Sequence, residues 1–308
     1  MKTAIVEYHY VRNTEETRFQ NLFALPVDKF ERQVNLLSEK YKIIGMKDLV
    51  NYASGNLDFD MDTAVLTFDD GHLDHFTNVF PFLHQKNIKA LFSPPFKAIT
   101  ERKVLDVNKI QLIMTEVKNI DPLIEMIKSY LLNIRNEKGI KSYEEYWEIY
   151  SKAHAYFYPP DIVFIKRLLQ RGLPDCYRNK LINIFFKKYI NIDERIISNE
   201  LYMTFEQLKL MAKHGMYIGC HGFDHLWLPD YDENEIELEI DNSLDMLSQI
   251  YPTLDGWIMC YPYGEFNETV KNVIKNKGCV IAFREGHEIV DVSKVDLLEV
   301  PRIDTTII

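Results

Sequence analysis

The chain has 308 residues, of which 46% are hydrophobic, enough to bury a sizeable core in one large domain or two. Its 36 Lys and Arg residues stand against 46 Asp and Glu residues, which gives a formal net charge of −10. This balance argues against nucleic acid as a partner, unless a local basic patch overrides it.

The amino terminus predicts neither a signal peptide nor a membrane anchor. Residues 1–9 are interrupted by charge too early for the apolar core of a signal peptide, and the chain has no run of 18 apolar residues that suggests a membrane span. Its four cysteines show no CxxC or paired spacing, which is typical of reduced thiols. We therefore expect a cytoplasmic location.

The first hundred residues predict strands that alternate with helices. Phe30, Val34 and Leu37 are spaced for one face of a helix, and Pro94 ends the strand before it. The predicted elements are strands at 2–11, 41–45, 64–68 and 90–93, and helices at 27–40 and 74–86.

Residues of about 100–200 predict helices with few strand signals. The predicted helices are 108–114, 122–133, 142–155, 161–169 and 174–189. Because this stretch follows a strand end, we interpret it as a helical insertion on the ligand-binding side of the fold. It would act as a lid or as the contact of a homo-oligomer, or it is a helical subdomain with neither role.

The last hundred residues return to alternating elements. Short apolar runs at 216–220 and 257–259 indicate strands, and Gly215 and Gly278 follow predicted helices as C-caps. The predicted helices are 205–214, 234–250 and 270–277. Strands that alternate with helices predict mainly parallel pairing.

Two adjacent carboxylates, Asp69 and Asp70, end the apolar strand at 64–68. They are costly to bury unless a positive group lies beside them, and a divalent metal is the usual solution. An Asp-Gly turn without a metal is the alternative reading of the sequence at 67–71, TFDDG.

Two further motifs follow strand ends. The sequence HGFDH at 221–225 places His221 and His225 four residues apart, on one face if the segment is helical, and this spacing is frequent among metal ligands. A pair of unrelated histidines is the alternative. The sequence YPYG at 261–264 follows the strand at 257–259. Active sites of α/β barrels and open sheets lie at such strand ends.

With these three motifs the chain resembles the polysaccharide deacetylase family, also called the NodB-homology or carbohydrate esterase family 4 group. TFDDG matches the first family motif, HGFDH matches the second except that Gly222 replaces a hydroxyl residue, and YPYG is similar to the third. The resemblance covers roughly residues 1–98 and 200–308. It implies one domain over 1–308: an α/β fold, an irregular (β/α)7-like barrel of mainly parallel strands, interrupted by a helical insertion at about 100–200.

The resemblance also implies roles for individual residues. Asp70, His221 and His225 would hold a divalent metal, with Zn²⁺ expected and Co²⁺, Mn²⁺, Fe²⁺ or Ni²⁺ also suited to these ligands. Asp69 would be the general base, and the backbone around Tyr263 would help to stabilise the oxyanion. Amide hydrolysis needs both a nucleophile at neutral pH and such charge stabilisation.

The chain departs from the family pattern in two places. Cys260 aligns with the third-motif arginine that tethers the base, and Arg302 near the carboxyl terminus is our candidate to replace it, unless it is an exposed terminal arginine. The histidine that protonates the leaving amine in the family has no clear counterpart. His9, after the first strand, is the preferred candidate for this general acid, and His287 in a loop is the other.

These features predict a metal-dependent hydrolase that removes an N-linked acyl group, expected to be acetyl, in surface-glycan biosynthesis. Its substrate would be a small, lipid-linked or nucleotide-linked amino sugar or saccharide intermediate. One alternative is a deformylase or another linear-amide hydrolase. Another is a catalytically weakened carbohydrate-binding protein that retains the metal, although the intact Asp69 favours catalysis.

Overall fold

The computed structural model describes residues 1–152, 159–254 and 256–305. Its residues fall into two compact units. The first unit comprises Met1–Arg18, Phe23–Lys103 and Glu194–Ile308, and the second comprises Phe19–Leu22 and Val104–Asp193.

The first unit contains a sheet in which all strand pairs are parallel. Its strands are β1 (Thr3–Tyr8), β2 (Lys42–Ile43), β3 (Thr63–Asp69), β4 (Leu91–Ser93), β5 (Tyr217–Ile218), β6 (Trp257–Cys260), β7 (Cys279–Gly286) and β8 (Val300–Asp304). The strand order is β5-β4-β3-β1-β8-β7-β6, and β2 pairs with the first residues of β3. A parallel bridge between Cys220 and Met259 joins the two edges of this order. The predicted fold class, a (β/α)7-like barrel of mainly parallel strands, is therefore confirmed.

The helices are numbered in chain order across both units. They are α1 (Val27–Lys40), α2 (Met46–Ala53), α3 (Phe80–Gln85), α4 (Phe96–Glu101), α5 (Asp106–Glu116), α6 (Asp121–Asn133), α7 (Tyr143–Tyr150), α8 (Pro160–Arg167), α9 (Asp175–Tyr189), α10 (Glu194–Leu201), α11 (Phe205–Lys213), α12 (Glu233–Ser248) and α13 (Glu268–Asn276).

Side chains that alternate along the strands divide the barrel interior into two layers. Because successive residues of a strand point to opposite faces, every second residue of β1, β3 and β8 lies inside. The layer nearer the strand starts is apolar and contains Ile5, Val65, Leu91, Ile258, Ile281 and Val300. The next inward positions, toward the carboxyl ends, are polar: Glu7, Thr67, Asp69 and Arg302 contact one another there.

The opposite face of the same strands is covered by aromatic packing. The rings of Tyr8, Phe68 and Phe92 stack along neighbouring strands, with centroids 4.9 and 4.8 Å apart. Phe30 of α1 points its edge at Tyr8 and Phe68, at 5.3 and 5.9 Å. Phe30 is fully buried, so this contact fixes α1 on the outside of the barrel.

Several predicted elements differ from those observed. The first strand is shorter than the predicted 2–11, since it ends at Tyr8, and the strand at 41–45 contains only Lys42–Ile43. The helices Met46–Ala53 and Glu194–Leu201 were not predicted. The helix expected at 74–86 begins with a π-helical turn, His75–Val79, before α3.

The second unit consists of helices α5–α9 together with Phe19–Leu22. The principal pairing joins α5 and α9, where Lys109 Nζ donates to Asn183 Oδ1 at 3.0 Å. The helix predicted at 142–155 begins at a Ser142–Glu145 capping box and ends at Tyr150, and residues 153–155 of that prediction lie outside the described residues. The interpretation of this unit as a lid or an oligomer contact stays a prediction.

Among the residues that the structure describes, no helix is both long enough and apolar enough to cross a membrane.

Candidate active site

The strand β3 ends in a sharp turn that separates its two carboxylates. Asp69 keeps the extended conformation of the strand, whereas Asp70 has a φ of 68° and Gly71 a φ of 65°. A Cβ at Gly71 would lie 2.7 Å from Pro94 Cβ, so only glycine fits between the turn and the end of β4. Asp69 therefore points into the barrel, and Asp70 lies beyond the strand end.

The HGFDH segment is a loop, so the expectation that helical spacing aligns its histidines is wrong. Gly222 has a φ of 74° and His225 a φ of 57°, which no helix permits. The turn at Gly222 nevertheless brings the rings of His221 and His225 to a centroid distance of 4.7 Å. The two side chains meet because the loop reverses, and their spacing in sequence is incidental to that.

Asp70, His221 and His225 converge on one point. His221 Nε2 lies 3.7 Å and His225 Nε2 lies 3.5 Å from Asp70 Oδ1. All three residues are buried, and their ligand atoms lie within 4.8 Å of one another. Asp70 Oδ1 has no hydrogen-bond partner among the described residues, although it is buried. One carboxylate and two imidazoles at this spacing fit a divalent metal with remaining positions open.

Both imidazoles are prepared to donate a lone pair. His221 Nδ1 lies 2.7 Å from the carbonyl oxygen of Cys260, so Nδ1 donates to that oxygen and Nε2 is the nitrogen that faces Asp70. Burial and the neighbouring His221 lower the pKa of His225 to about 4. His225 is therefore neutral near pH 7, the form that binds metals.

Asp70 is held ionised by its histidine neighbours. Burial would raise the pKa of Asp70, but the hydrogen bond and charge of His72, followed by the charge of His225, hold it well below its usual value. His72 Nε2 lies 3.3 Å from Asp70 Oδ2, and the His72 ring stacks on Tyr10 at 3.8 Å. His72 thus orients the carboxylate from the side opposite His225.

Asp69 pairs with Arg302 inside the barrel. Arg302 Nη2 lies 2.7 Å from Asp69 Oδ2 and 2.8 Å from Glu7 Oε1. Burial would raise the pKa of Asp69, but the charge and hydrogen bond of Arg302, together with the charges of His221 and His9, outweigh it and lower that pKa. Arg302 is 1% exposed, so it is a buried arginine of β8. A guanidinium between the buried Asp69 and the half-buried Glu7 keeps Asp69 an anion.

The proposed general acid and oxyanion residues lie around this pair. His9 follows β1, with Nε2 3.8 Å from Glu7 Oε1, and its side chain is 42% exposed. Burial would lower the pKa of His9, but the charges of Glu7, Asp70 and Asp69 together outweigh this effect and raise it. The ring centroids of Tyr263 and His225 lie 4.6 Å apart. His287, the other histidine considered, is exposed and follows the end of β7.

Sequence reasoning missed four residues that surround the site: Glu7, His72, Trp227 and Glu239. Trp227 stacks on Tyr263 at 4.2 Å, and burial raises the pKa of Glu239 to about 7. Two of the four carried a signal in the sequence. Glu7 is two residues after Ile5 in β1, so both side chains point to the same, inward face. Glu239 is three residues after Ile236 in α12, so it lies on the apolar face of that helix. The other two depend on contacts between distant segments.

The second half of the chain matches a known family. Residues 174–282 match the sequence model of the family described as polysaccharide deacetylase, a span that includes HGFDH and YPYG. This match confirms the predicted resemblance and the predicted enzyme class, a sugar deacetylase-like hydrolase of amide bonds. None of the curated proteins compared with the chain matches it.

Solved structures share the fold over nearly the whole chain. The deacetylase PplD of Streptococcus pyogenes, in complex with acetate, has 16% sequence identity and a TM-score of 0.58, over 99% of this chain and 92% of that one. A de-N-acetylase from Aggregatibacter actinomycetemcomitans has 15% identity and a TM-score of 0.59, over 98% and 94%. IcaB from Ammonifex degensii has 15% identity and a TM-score of 0.57, over 99% and 91%. At these identities the likeness establishes the fold.

Proposed function

We propose that this protein is a metal-dependent hydrolase that removes an N-linked acetyl group from an amino sugar. One observation carries the proposal: the three-ligand cluster of Asp70, His221 and His225 lies beside an aspartate, Asp69, that Arg302 keeps ionised. A metal cluster alone would suit a binding protein. A buried base with its own counterion beside the cluster is what hydrolysis requires.

Each residue then has a defined task. Asp70, His221 and His225 would hold the metal, which would supply a nucleophile at neutral pH and polarise the acyl oxygen. Asp69 accepts a proton from the attacking water, and Arg302 holds its carboxylate in place. Backbone N–H groups around Tyr263 face the oxyanion, and His9 delivers a proton to the departing nitrogen. The metal is Zn²⁺ in this proposal, with Co²⁺, Mn²⁺, Fe²⁺ and Ni²⁺ as alternatives for the same ligands.

We infer the identity of the acyl group and of the substrate from the chemistry of the site and from the similar structures. One of these is a deacetylase in complex with acetate and another is a de-N-acetylase, which supports acetyl as the group removed. The substrate we propose is a small, lipid-linked or nucleotide-linked amino sugar in surface-glycan biosynthesis. We further propose a cytoplasmic location, which suits the free thiols of Cys176, Cys220, Cys260 and Cys279 because reducing compartments preserve thiols.

The test is release of acetate from defined substrates. The purified protein, loaded with Zn²⁺ or Co²⁺, is incubated with N-acetylglucosamine, its nucleotide-diphosphate conjugate and short N-acetylated oligosaccharides. We expect acetate and a free amine from at least one of them, and none after the metal is chelated. N-formyl counterparts in parallel distinguish a deformylase. Saccharide binding without acyl release from any substrate would contradict the proposed hydrolase and favour a carbohydrate-binding protein.

A further inference from the structure

The loop that joins His221 to His225 needs an anchor for its backbone. Both its bends have positive φ, at Gly222 and His225, so the loop has no helical hydrogen bonds of its own to fix its shape. Gly222 has no side chain that could hydrogen-bond the backbone N–H groups of this loop, as a serine or threonine hydroxyl can.

A buried carboxylate meets the loop instead. The backbone N–H groups of Phe223 and Asp224 both donate to Glu239 Oε1, at 2.8 and 2.7 Å. Glu239 lies on the inner face of α12 and is only 5% exposed. An acidic side chain is rarely buried unless its hydrogen bonds are made, and these two bonds are the ones that this loop offers.

Gly222 and Glu239 fit each other sterically. A Cβ at position 222 would lie 2.8 Å from Glu239 Oε1, closer than such contacts occur. A side chain at 222 would therefore require the Glu239 carboxylate to shift, and it would also be strained by the positive φ at this position.

The far side of the same loop is held by α4. The backbone N–H of Lys97 donates to the carbonyl of Phe223 at 2.9 Å, and the Lys97 ammonium pairs with the Asp224 carboxylate. Glu239 on one side and Lys97 on the other thus fix the peptide groups between the two histidines.

We propose that Glu239 is a positioning residue for the metal centre, which holds the His221–His225 loop through the backbone N–H groups of Phe223 and Asp224. The inference rests on the proposed metal site and adds a residue outside its ligands. Removal of a group that orients ligands in this way costs about 10- to 100-fold in metal affinity.

The experiment compares three substitutions in the full chain. Glu239→Ala removes the acceptor. Glu239→Gln keeps an oxygen that can accept hydrogen bonds from both N–H groups. Glu239→Asp keeps the carboxylate, but its side chain is one methylene shorter, so the carboxylate lies further from the loop. Glu237→Ala, an exposed glutamate of the same helix, is the matched control. The dissociation constants of Zn²⁺ and Co²⁺ are measured by competition with a chelator, and the Co²⁺ absorption spectrum reports ligand geometry.

We expect weaker metal binding in Glu239→Ala and Glu239→Asp, by about 10- to 100-fold, and an altered Co²⁺ spectrum. Glu239→Gln and Glu237→Ala should bind as the wild type does. If Glu239→Ala does not fold, the metal affinities of Glu239→Asp and Glu239→Gln are compared instead, and weaker binding by Glu239→Asp alone supports the inference.

Two results would overturn the inference. Wild-type affinity and spectrum in Glu239→Ala and Glu239→Asp would remove any role in positioning and leave the metal site intact. Loss of unfolding stability in the metal-free Glu239→Ala protein, with metal affinity unchanged, would reduce Glu239 to a structural residue. Absence of metal binding by the wild type is a separate outcome, because it would contradict the proposed function itself.

Discussion

Asp69 and Asp70 are neighbours in the chain, yet the turn after β3 gives them different partners. Asp69 faces Arg302 inside the barrel, and Asp70 faces His72, His221 and His225 beyond the strand end. A continued strand would turn Asp70 to the outer face of the sheet, opposite to Asp69. The left-handed conformation of Asp70 instead directs its side chain to the strand end, where the histidines lie. One carboxylate is thereby available as a base and the other as a ligand.

Asp69→Asn should abolish turnover and leave the metal bound. The amide cannot accept the proton, so we expect acetate release to fall by at least about 100-fold. Metal affinity should stay within about tenfold of the wild type, because a group beside the ligands changes but no ligand is lost. Asp70→Asn is the matched control, in which metal affinity itself should collapse. Turnover that persists in Asp69→Asn would show that the assigned base is wrong.

Arg302→Lys should slow turnover and move its pH dependence. Arg302 contacts both Asp69 and Glu7 through Nη2 while Nη1 donates to Thr67. The single nitrogen of lysine cannot keep all three contacts in this planar arrangement, so the lowered pKa of Asp69 should rise toward its usual value. A base is active when deprotonated, so the acid limb of the pH–rate profile should shift to higher pH. The profile of acetate release against pH measures this shift.

Arg284→Lys, a substitution in the neighbouring strand β7, is the control for the arginine experiment, because Arg284 donates to the carbonyl groups of Glu285 and Glu299. Its pH profile should match that of the wild type. An unchanged acid limb in Arg302→Lys would mean that Arg302 does not set the protonation of the base.

The convergence of Asp70, His221 and His225, the metal ligands that we propose, could be predicted from the sequence, but their surroundings could not. Asp70, His221 and His225 stand in motifs whose residue types are typical of metal ligands, and the structure brings them together. His72 and Glu239 act through contacts with segments that are distant in sequence. The loop at 221–225 also depends on positive φ at two positions, which the spacing of the histidines does not reveal.

At the scale of the elements, the alternation of side chains along each strand connects the apolar layer of the barrel to the polar layer at the candidate site. In β1, Ile5 lies in the apolar layer and Glu7, two residues on, reaches Arg302. In β8, Val300 and Arg302 repeat the pattern. A slip of one residue in either strand would turn the charged side chain out of the barrel, so the hydrophobic layer also fixes the register of the polar one.

Phe30→Ala should destabilise the barrel strongly. Phe30 is fully buried against Tyr8, Phe68 and Phe82, and removing its ring leaves a cavity under α1. We expect the free energy of unfolding to fall by about 3–5 kcal/mol. Denaturant unfolding followed by circular dichroism measures it.

Leu36→Ala is the matched control in the same helix, since Leu36 is 61% exposed. Its free energy of unfolding should change by no more than about 0.5 kcal/mol. Equal effects of the two substitutions would contradict the packing of α1 described here.

Long periodic elements were predictable, and short ones were not. Helix α1 has the predicted bounds, Val27–Lys40, because its apolar residues recur on one face. The helix Met46–Ala53 was missed because it follows a strand of only two residues, with no break in composition between them. Residues 74–86 were predicted as one helix, and periodicity does not distinguish the π-helical turn at their start.

At the scale of the whole molecule, the functional residues come from the first unit, although they are distant in sequence. Asp69 and Asp70 precede the second unit, and His221, His225 and Arg302 follow it. The family match at 174–282 covers the later histidine motif but not the first carboxylate motif. The barrel fold and the motifs together were sufficient to predict that these residues lie close to one another. The role of Val104–Asp193 was not predictable, because its helices carry no motif.

Metal content tests the central claim most directly. The purified wild-type protein, after loading with Zn²⁺ or Co²⁺ and removal of excess, should contain about one metal ion per chain, because its three ligands form one site with open positions. His225→Ala should lose that ion, since one of the three ligands is gone. No bound metal in the wild type, or equal metal in the wild type and in His225→Ala, would contradict the proposed metal centre and with it the hydrolase mechanism.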